Sequence, residues 1–495
     1  MRRPLATALL LISALNAPRA SAQGRPGDLA RELLEQGREQ RRSGKVDLAL
    51  DSFNRIVTAF ADTDSVDDAL LEIGRYHMDV TGDAEKARQT FEQITRAYPQ
   101  SDGAPGAFYW LGRLTLSRAN TAAEIDDAMA QFTRVQRLYP RSEWVGHALY
   151  ASGLAQRKIG KLPEAIEYER RVVLEYGHSE AAPAAQFEIG RCYALLGDPR
   201  QAMEEFQQVR NRFTDEVWQQ HALARITALW RLYGTGKPTF NVDASYALAA
   251  GEILKDVNAI HMTPDRTLWV ASGKARGVVA IGPDGKPGKT LPLEDPRAIS
   301  FSPRNEIVVA GRMGVLVGPT GVKAFAVPGD KPGILESLEK IAAAVVAPGG
   351  SLIVSDEKKR RMYRYDDQNR YQGPFPDGRE HEVTRLGLDS EGSIVLLDEI
   401  DKSVRVFDVS GRPIRAIAAR GAGYEIKKPV DVAVDAFRNT YVADGDGAIF
   451  IFGEKGALLA TLTAAELRRP RAITLEPDGA LLVYDEKAER ILRFR

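Results

Sequence analysis

The chain has 495 residues, too many for one ordinary domain, and an apolar fraction of 44% that can fill sizeable cores. Its 67 Lys and Arg residues balance 67 Asp and Glu. A neutral chain creates no overall field to gather nucleic acid or an anionic membrane, so neither is expected as a partner.

The first 22 residues read as a secretory signal. Arg2 and Arg3 give the positive end, Leu5 to Leu15 is apolar apart from Thr7 and Ser13, and Ala20-Ser21-Ala22 sets small residues where a signal peptidase cuts. The run is too short to span a bilayer and no other stretch approaches the needed length, so no transmembrane segment is expected. The reading is of an exported chain, periplasmic or extracellular after cleavage near Ala22. The single cysteine, Cys192, excludes an internal disulfide, and its helical surroundings point to a packed core residue.

Residues 23–233 carry a repeat. A small residue is followed eleven positions later by an aromatic: Ala49 and Phe60, Ala87 and Tyr98, Ala128 and Tyr139, Ala165 and Tyr176, Ala202 and Phe213. Four copies place Phe four residues after the Ala, at Phe53, Phe91, Phe132 and Phe206; the fourth copy has Glu169 there. A Gly precedes each Ala, at Gly37, Gly74, Gly112, Gly153 and Gly190, by 12 residues in three copies and by 13 and 16 in the second and third. Small residues let two antiparallel helices approach, and a Phe one turn along fills the groove between them. The extra residues of the second and third copies are expected in the turn between helices. Tyr98-Pro99, Tyr139-Pro140 and Tyr176-Gly177 end helices. Val217 to Tyr233 reads as a closing helix.

This pattern resembles the tetratricopeptide repeat, in the Tyr-Pro-x-Ser variety found in periplasmic proteins of outer-membrane assembly and cell-division coordination. The resemblance implies an α-solenoid whose groove binds a peptide or helix of a partner, with a plain spacer as the alternative.

Residues 234–239 form a breaker-rich linker, and from 240 to 495 the pattern turns to short alternating runs in units of about 42 residues. Equivalent turns fall at Pro264, Pro303, Pro348, Ser390, Ala436 and Pro477. Eight residues after four of them stands an Asp: Asp356, Asp398, Asp444 and Asp485. Each is expected to accept backbone N–H groups and tie its hairpin. The unit resembles the NHL repeat of six-bladed β-propellers, without the Asn that usually follows the Asp. The sixth copy has three strands. Residues 240–248, which alternate from Phe240 to Leu248, are expected to supply the fourth, closing the ring and setting the helices at the seam between first and last blades.

Little in the second half points to chemistry. Its two histidines, His261 and His381, lie at non-equivalent positions, too few for a His-based zinc site, so no metal or cofactor is expected. His261 reads as packed or channel-facing, His381 as a solvated loop residue. The residues entering the inner strands, Asn258, Arg297, Ala342, Thr384, Val430 and Arg471, should ring one channel mouth. Of these, Asn258, Arg297, Thr384 and Arg471 are the candidate ligand-binding set, since paired guanidinium groups can bind a carboxylate or phosphate. Pairing of the arginines with Asp431 and similar acids at the rim is the structural alternative. The sequence thus reads as a non-catalytic cell-envelope scaffold for protein or peptide partners. The rival is a propeller-based enzyme of lactonase, lyase or hydrolase type, or a small-ligand or glycan receptor.

Overall fold

The structure is a computed structural model and describes residues 25–495 apart from 120, 247, 249–250, 319–320, 330, 332–333 and 378. The expected signal, 1–22, lies outside the described residues. Two compact units divide after Leu111. The first holds two antiparallel helix pairs, α1 (Pro26–Arg42) with α2 (Val46–Ala59) and α3 (Val66–Asp79) with α4 (Ala84–Ala97), and the start of α5 (Gly103–Arg118). The second continues with α6 (Ala122–Leu138), α7 (Trp144–Lys158), α8 (Leu162–Glu175), α9 (Ala182–Leu195), α10 (Pro199–Arg212) and α11 (Glu216–Leu229), then the β-propeller.

The repeat signature sits where the chain needs it. Phe60, Tyr98, Tyr139, Tyr176 and Phe213 each stand immediately after the second helix of a pair. Pro after Tyr98 and Tyr139 disfavours the helical conformation there and ends the helix. Gly37, Gly74, Gly112 and Gly190 face the rings of Phe53, Phe91, Phe132 and Phe206 so closely that an added Cβ would overlap them. The extra residues of the third copy mostly lengthen helices rather than the turn: α6 begins at Ala122, six residues before Ala128, whereas α8 begins three before Ala165.

Among the described residues six antiparallel sheets of three or four strands follow in chain order, each built outward from its inner strand, with two short two-stranded pairs in the connections. The inner strands are Val257–Met262, Pro296–Phe301, Ile341–Val346, Val383–Leu388, Pro429–Val434 and Pro470–Leu475, in blades 1 to 6. The second strands of blades 2 to 6 are wholly buried, as in Ile394–Asp398 and Leu481–Asp485, and that of blade 1 is buried apart from Trp269. Neighbouring blades are also stitched by hydroxyls: Ser300 Oγ donates to the Ala344 carbonyl (2.8 Å), and Thr474 Oγ1 accepts from Met262 N (2.9 Å).

Blade 6 has three strands of its own and takes the fourth from upstream. Asn241 N donates to Arg495 O (2.8 Å), Arg495 N to Asn241 O (2.9 Å) and Asp243 N to Arg493 O (2.8 Å). The pairing is shorter than the 240–248 expected. At Asp243 the chain turns, its carboxylate accepting Ser245 N (3.1 Å) and Ser245 Oγ (2.6 Å). Phe240 and Val242 therefore pack with blades 5 and 6, Tyr246 and Leu248 with blades 6 and 1.

The last repeats stand on blades 4 to 6 rather than at the seam between blades 6 and 1. Their side chains complement the turns there. Arg225 Nη1 donates to Pro477 O (3.2 Å), Arg231 Nη1 to Asp478 O (2.7 Å), and the Tyr233 hydroxyl to Asn439 Oδ1 (2.9 Å). Phe437 of blade 5 joins the core formed by Phe187, Phe206 and Leu229.

Candidate functional site

Every inner strand carries a β-bulge, and the skipped residue is the second in all six: Asn258, Arg297, Ala342, Thr384, Val430 and Arg471. A bulge re-aims a side chain and bends the strand. The structure does not draw the four candidate residues onto one ligand. Asn258 Nδ2 donates to Pro296 O (3.0 Å) in the next blade. Arg297 is held by Asp295 (3.2 Å) and by Glu357 (3.0 Å), which also takes Lys340 (2.8 Å). Thr384 Oγ1 donates to Glu399 Oε1 (2.9 Å). Arg471 is partly exposed and, among the described residues, forms no ion pair.

The residue after the bulge matters more. In blade order it is Ala259, Ala298, Ala343, Arg385, Asp431 and Ala472. Four alanines leave space along the axis, and Arg385 fills it. Its Nε donates to Asp431 Oδ1 of blade 5 (3.0 Å), its Nη1 to Thr384 O (2.9 Å), and its Nη2 to Asn258 O of blade 1 (2.8 Å). Blades 1 and 4 are opposite in a six-membered ring, so this side chain spans the channel. Asp431 also accepts Val432 N (2.9 Å) and, through Oδ2, Ile473 N of blade 6 (2.8 Å). Burial raises its carboxyl above the usual range, with Arg385 opposing. Asp431 thus pairs with Arg385 rather than with Arg297 or Arg471. Aligning the six inner strands in the sequence would have exposed this column of alanines broken by one Arg and one Asp.

The blade aspartates are structural ties. Asp485 accepts Arg468 N (2.6 Å), Arg469 N (2.7 Å) and Ala488 N (2.9 Å); Asp444 accepts Lys427 N (2.7 Å) and Asp446 N (3.0 Å). Asp398 additionally meets His381 Nδ1 at 2.8 Å. His381 is therefore no solvated loop residue; it is 4% exposed, because its ring closes over the hairpin of blade 4. The hydrogen bond to Asp398 raises its pKa. His261 stacks on Phe301, ring centres 4.7 Å apart, and burial lowers its pKa to about 4. Among the described residues no three His, Cys, Asp or Glu side chains converge as metal ligands.

A second polar centre joins the repeats to the propeller. Glu391, in the turn after the inner strand of blade 4, is held by Arg157 of α7 and by Arg191 of α9 (3.0 Å). The same arginines hold Glu188 of α9, at 3.1 and 2.9 Å. Burial would raise the Glu188 carboxyl, but Arg191 and Arg157 outweigh it and bring it below the ordinary value. Beside them Cys192 is fully buried, and burial raises its thiol to about 12, which makes it inert. Between α9, α11 and blade 5 lies a cavity of about 220 Å³, floored by Leu229 and Phe437 and smaller than most drug-sized ligand sites.

Profiles of the tetratricopeptide-repeat family match residues 34–102 and 184–215. No curated protein matches the sequence. Among solved structures, a streptogramin B lyase is similar at 11% identity, covering 52% of this chain and 97% of its own, with a TM-score of 0.38. The virginiamycin B lyase of Staphylococcus aureus gives 14% identity, 51% and 85% coverage and 0.38. A gluconolactonase of Xanthomonas campestris gives 14%, 52%, 94% and 0.40. Similarity at this level says nothing about what this chain binds or converts.

Proposed function

We propose that the chain is a non-catalytic scaffold of the cell envelope, binding protein or peptide partners through the first-helix faces of its repeats and the propeller surface the repeats leave open. The observation that carries this reading is the channel. Enzymes gather reacting groups around vacant space; here the axis is filled by the ion pair of Arg385 and Asp431, anchored to the opposite blade at Asn258. Helical repeats of the tetratricopeptide type over residues 34–102 and 184–215 agree with a protein-binding role.

The rival, an envelope enzyme or a small-ligand or glycan receptor at the mouth ringed by Asn258, Arg297, Thr384 and Arg471, has one feature in its favour: the guanidinium of Arg471 carries no carboxylate among the described residues. Affinity capture from envelope extract, run beside thermal-shift screening against lactones, sugars and short peptides, separates the two. The scaffold captures the same proteins with or without Arg471→Ala and turns nothing over. Turnover, or a small-ligand shift abolished by Arg471→Ala, would replace the scaffold with the rival.

A further inference from the structure

Among the described residues the repeats hold two copies of one ionic cluster, and in one of them a second carboxylate is bound. In the second unit, Arg157 lies four residues after Gly153, Glu188 two before Gly190 and Arg191 one after it. Arg157 Nε meets Glu188 Oε2 at 3.1 Å and Arg191 Nη1 meets Glu188 Oε1 at 2.9 Å. In the first unit, Arg41 lies four residues after Gly37, Glu72 two before Gly74 and Arg75 one after it. Arg41 Nε meets Glu72 Oε2 at 3.3 Å and Arg75 Nη1 meets Glu72 Oε1 at 3.6 Å. The clusters correspond atom for atom. The other repeat junctions lack the set: their equivalent residues are Met78, Trp110 and Arg113, then Leu116, Ala151 and Leu154.

What differs is the remaining nitrogens. Arg157 Nη1 and Arg191 Nη2 grip Glu391, a glutamate on a tight turn whose N–H is fixed by Asp389 Oδ1 (2.9 Å). Among the described residues no such second carboxylate meets Arg41 and Arg75. Their side chains are 35% and 24% exposed, against 14% and 17% for Arg157 and Arg191. Arg75 is kept in place by the Trp110 ring 5.5 Å from its guanidinium carbon. Arg38 adds a third cation at Glu72 (3.6 Å), itself bound to Asp68 (3.0 Å) and Glu35 (3.1 Å), and Asp79 of α3 acts on Arg41 from the surface.

We infer that Arg41 and Arg75 form a carboxylate site for a glutamate presented on a tight turn of a partner protein, as the second pair receives Glu391. Two planar guanidinium groups already oriented by a buried carboxylate recognise such a group by fixed geometry rather than by charge alone. The inference rests on the scaffold reading and names the acidic feature its partner carries.

The probe is an unlabelled, head-to-tail cyclic peptide of residues 388–393, Leu-Asp-Ser-Glu-Gly-Ser, titrated into the full chain by isothermal calorimetry. Saturable binding that weakens with salt is expected, with a loss of about tenfold or more in Arg41→Gln/Arg75→Gln and for a peptide with Gln in place of Glu. Should the Gln variant unfold by circular dichroism, Arg41→Lys/Arg75→Lys keeps the charges on Glu72 but loses the fork, and the same weakening is expected. Equal binding by the Gln peptide or by these variants overturns the site. Absence of peptide binding while capture from envelope extract persists overturns the site and leaves the scaffold; absence of any capture by the unsubstituted chain removes the scaffold itself.

Discussion

Glu169 lies against Gly153 where four sister repeats set a phenylalanine ring against the equivalent glycine. The substitution puts a carboxyl, 1% exposed, where an aromatic knob belongs, and neither of its oxygens has a hydrogen-bond partner among the described residues. Burial, reinforced by Glu188 and opposed by Arg157, raises it well above the usual 4.5. Because the folded value exceeds the unfolded one, the contribution of Glu169 to stability is most favourable below pH 4.5 and worsens as pH rises toward the folded value. Glu169→Gln should match the parent in acid and exceed it at pH 8, by about 1.4 kcal/mol for each pH unit between 4.5 and the folded value or pH 8, whichever is lower. Urea unfolding at both pH values checks this; parallel pH profiles for parent and variant would refute it.

Arg385→Ala removes the counter-charge of a fully enclosed Asp431. Breaking one side of such a pair should cost about 3–5 kcal/mol in denaturant unfolding. Arg385→Ala/Asp431→Ala should cost less than Arg385→Ala alone, since no lone charge remains inside. A larger loss in the double variant would show that the pair does not act as a unit.

His381 and Asp398 set a pH window for blade 4. The histidine is raised by its bond to Asp398, so its contribution is complete below the unfolded value of 6.5 and disappears as pH climbs through the folded one. For Asp398, burial works against ionisation, yet the His381 bond prevails and lowers it, so its contribution is lost as pH falls through the folded value. The stability gap between parent and His381→Gln should therefore be wider at pH 6 than at pH 9. NMR titration of the imidazole should give a midpoint above 6.5.

Asn241→Pro deletes the N–H that meets Arg495 and leaves the outer edge of blade 6 partly unpaired. A loss of about 1–3 kcal/mol is expected. Hydrogen exchange should quicken first at the amides of Asp243 and Arg495, and exchange that rises uniformly around the ring would argue against local closure.

Much of this architecture could be read from spacing. The Gly, Ala and aromatic positions of five repeats and the bulged residue of all six inner strands were visible because each recurs, and recurrence reflects local geometry. Glu169 stood out for the same reason. The Arg385–Asp431 bridge did not, because it joins unlike residues of different blades, a relation no single repeat contains. The polar neighbours of His381 point to solvent, whereas the carboxylate of Asp398, 17 residues on, draws the ring inward. The seating of the helices over blades 4 to 6 likewise depends on Arg157, Arg191, Arg225 and Arg231 meeting turns 200 or more residues away.

That seating makes the covalent tether between the halves nearly superfluous to their union. With the guanidinium groups, Tyr233 and Phe437 all engaged across the boundary, a nick at exposed Gly236 should yield two fragments that still co-elute, the downstream piece retaining the strand that seals blade 6. The intact peptide then governs how fast the halves find each other, by keeping their mutual concentration near the millimolar range.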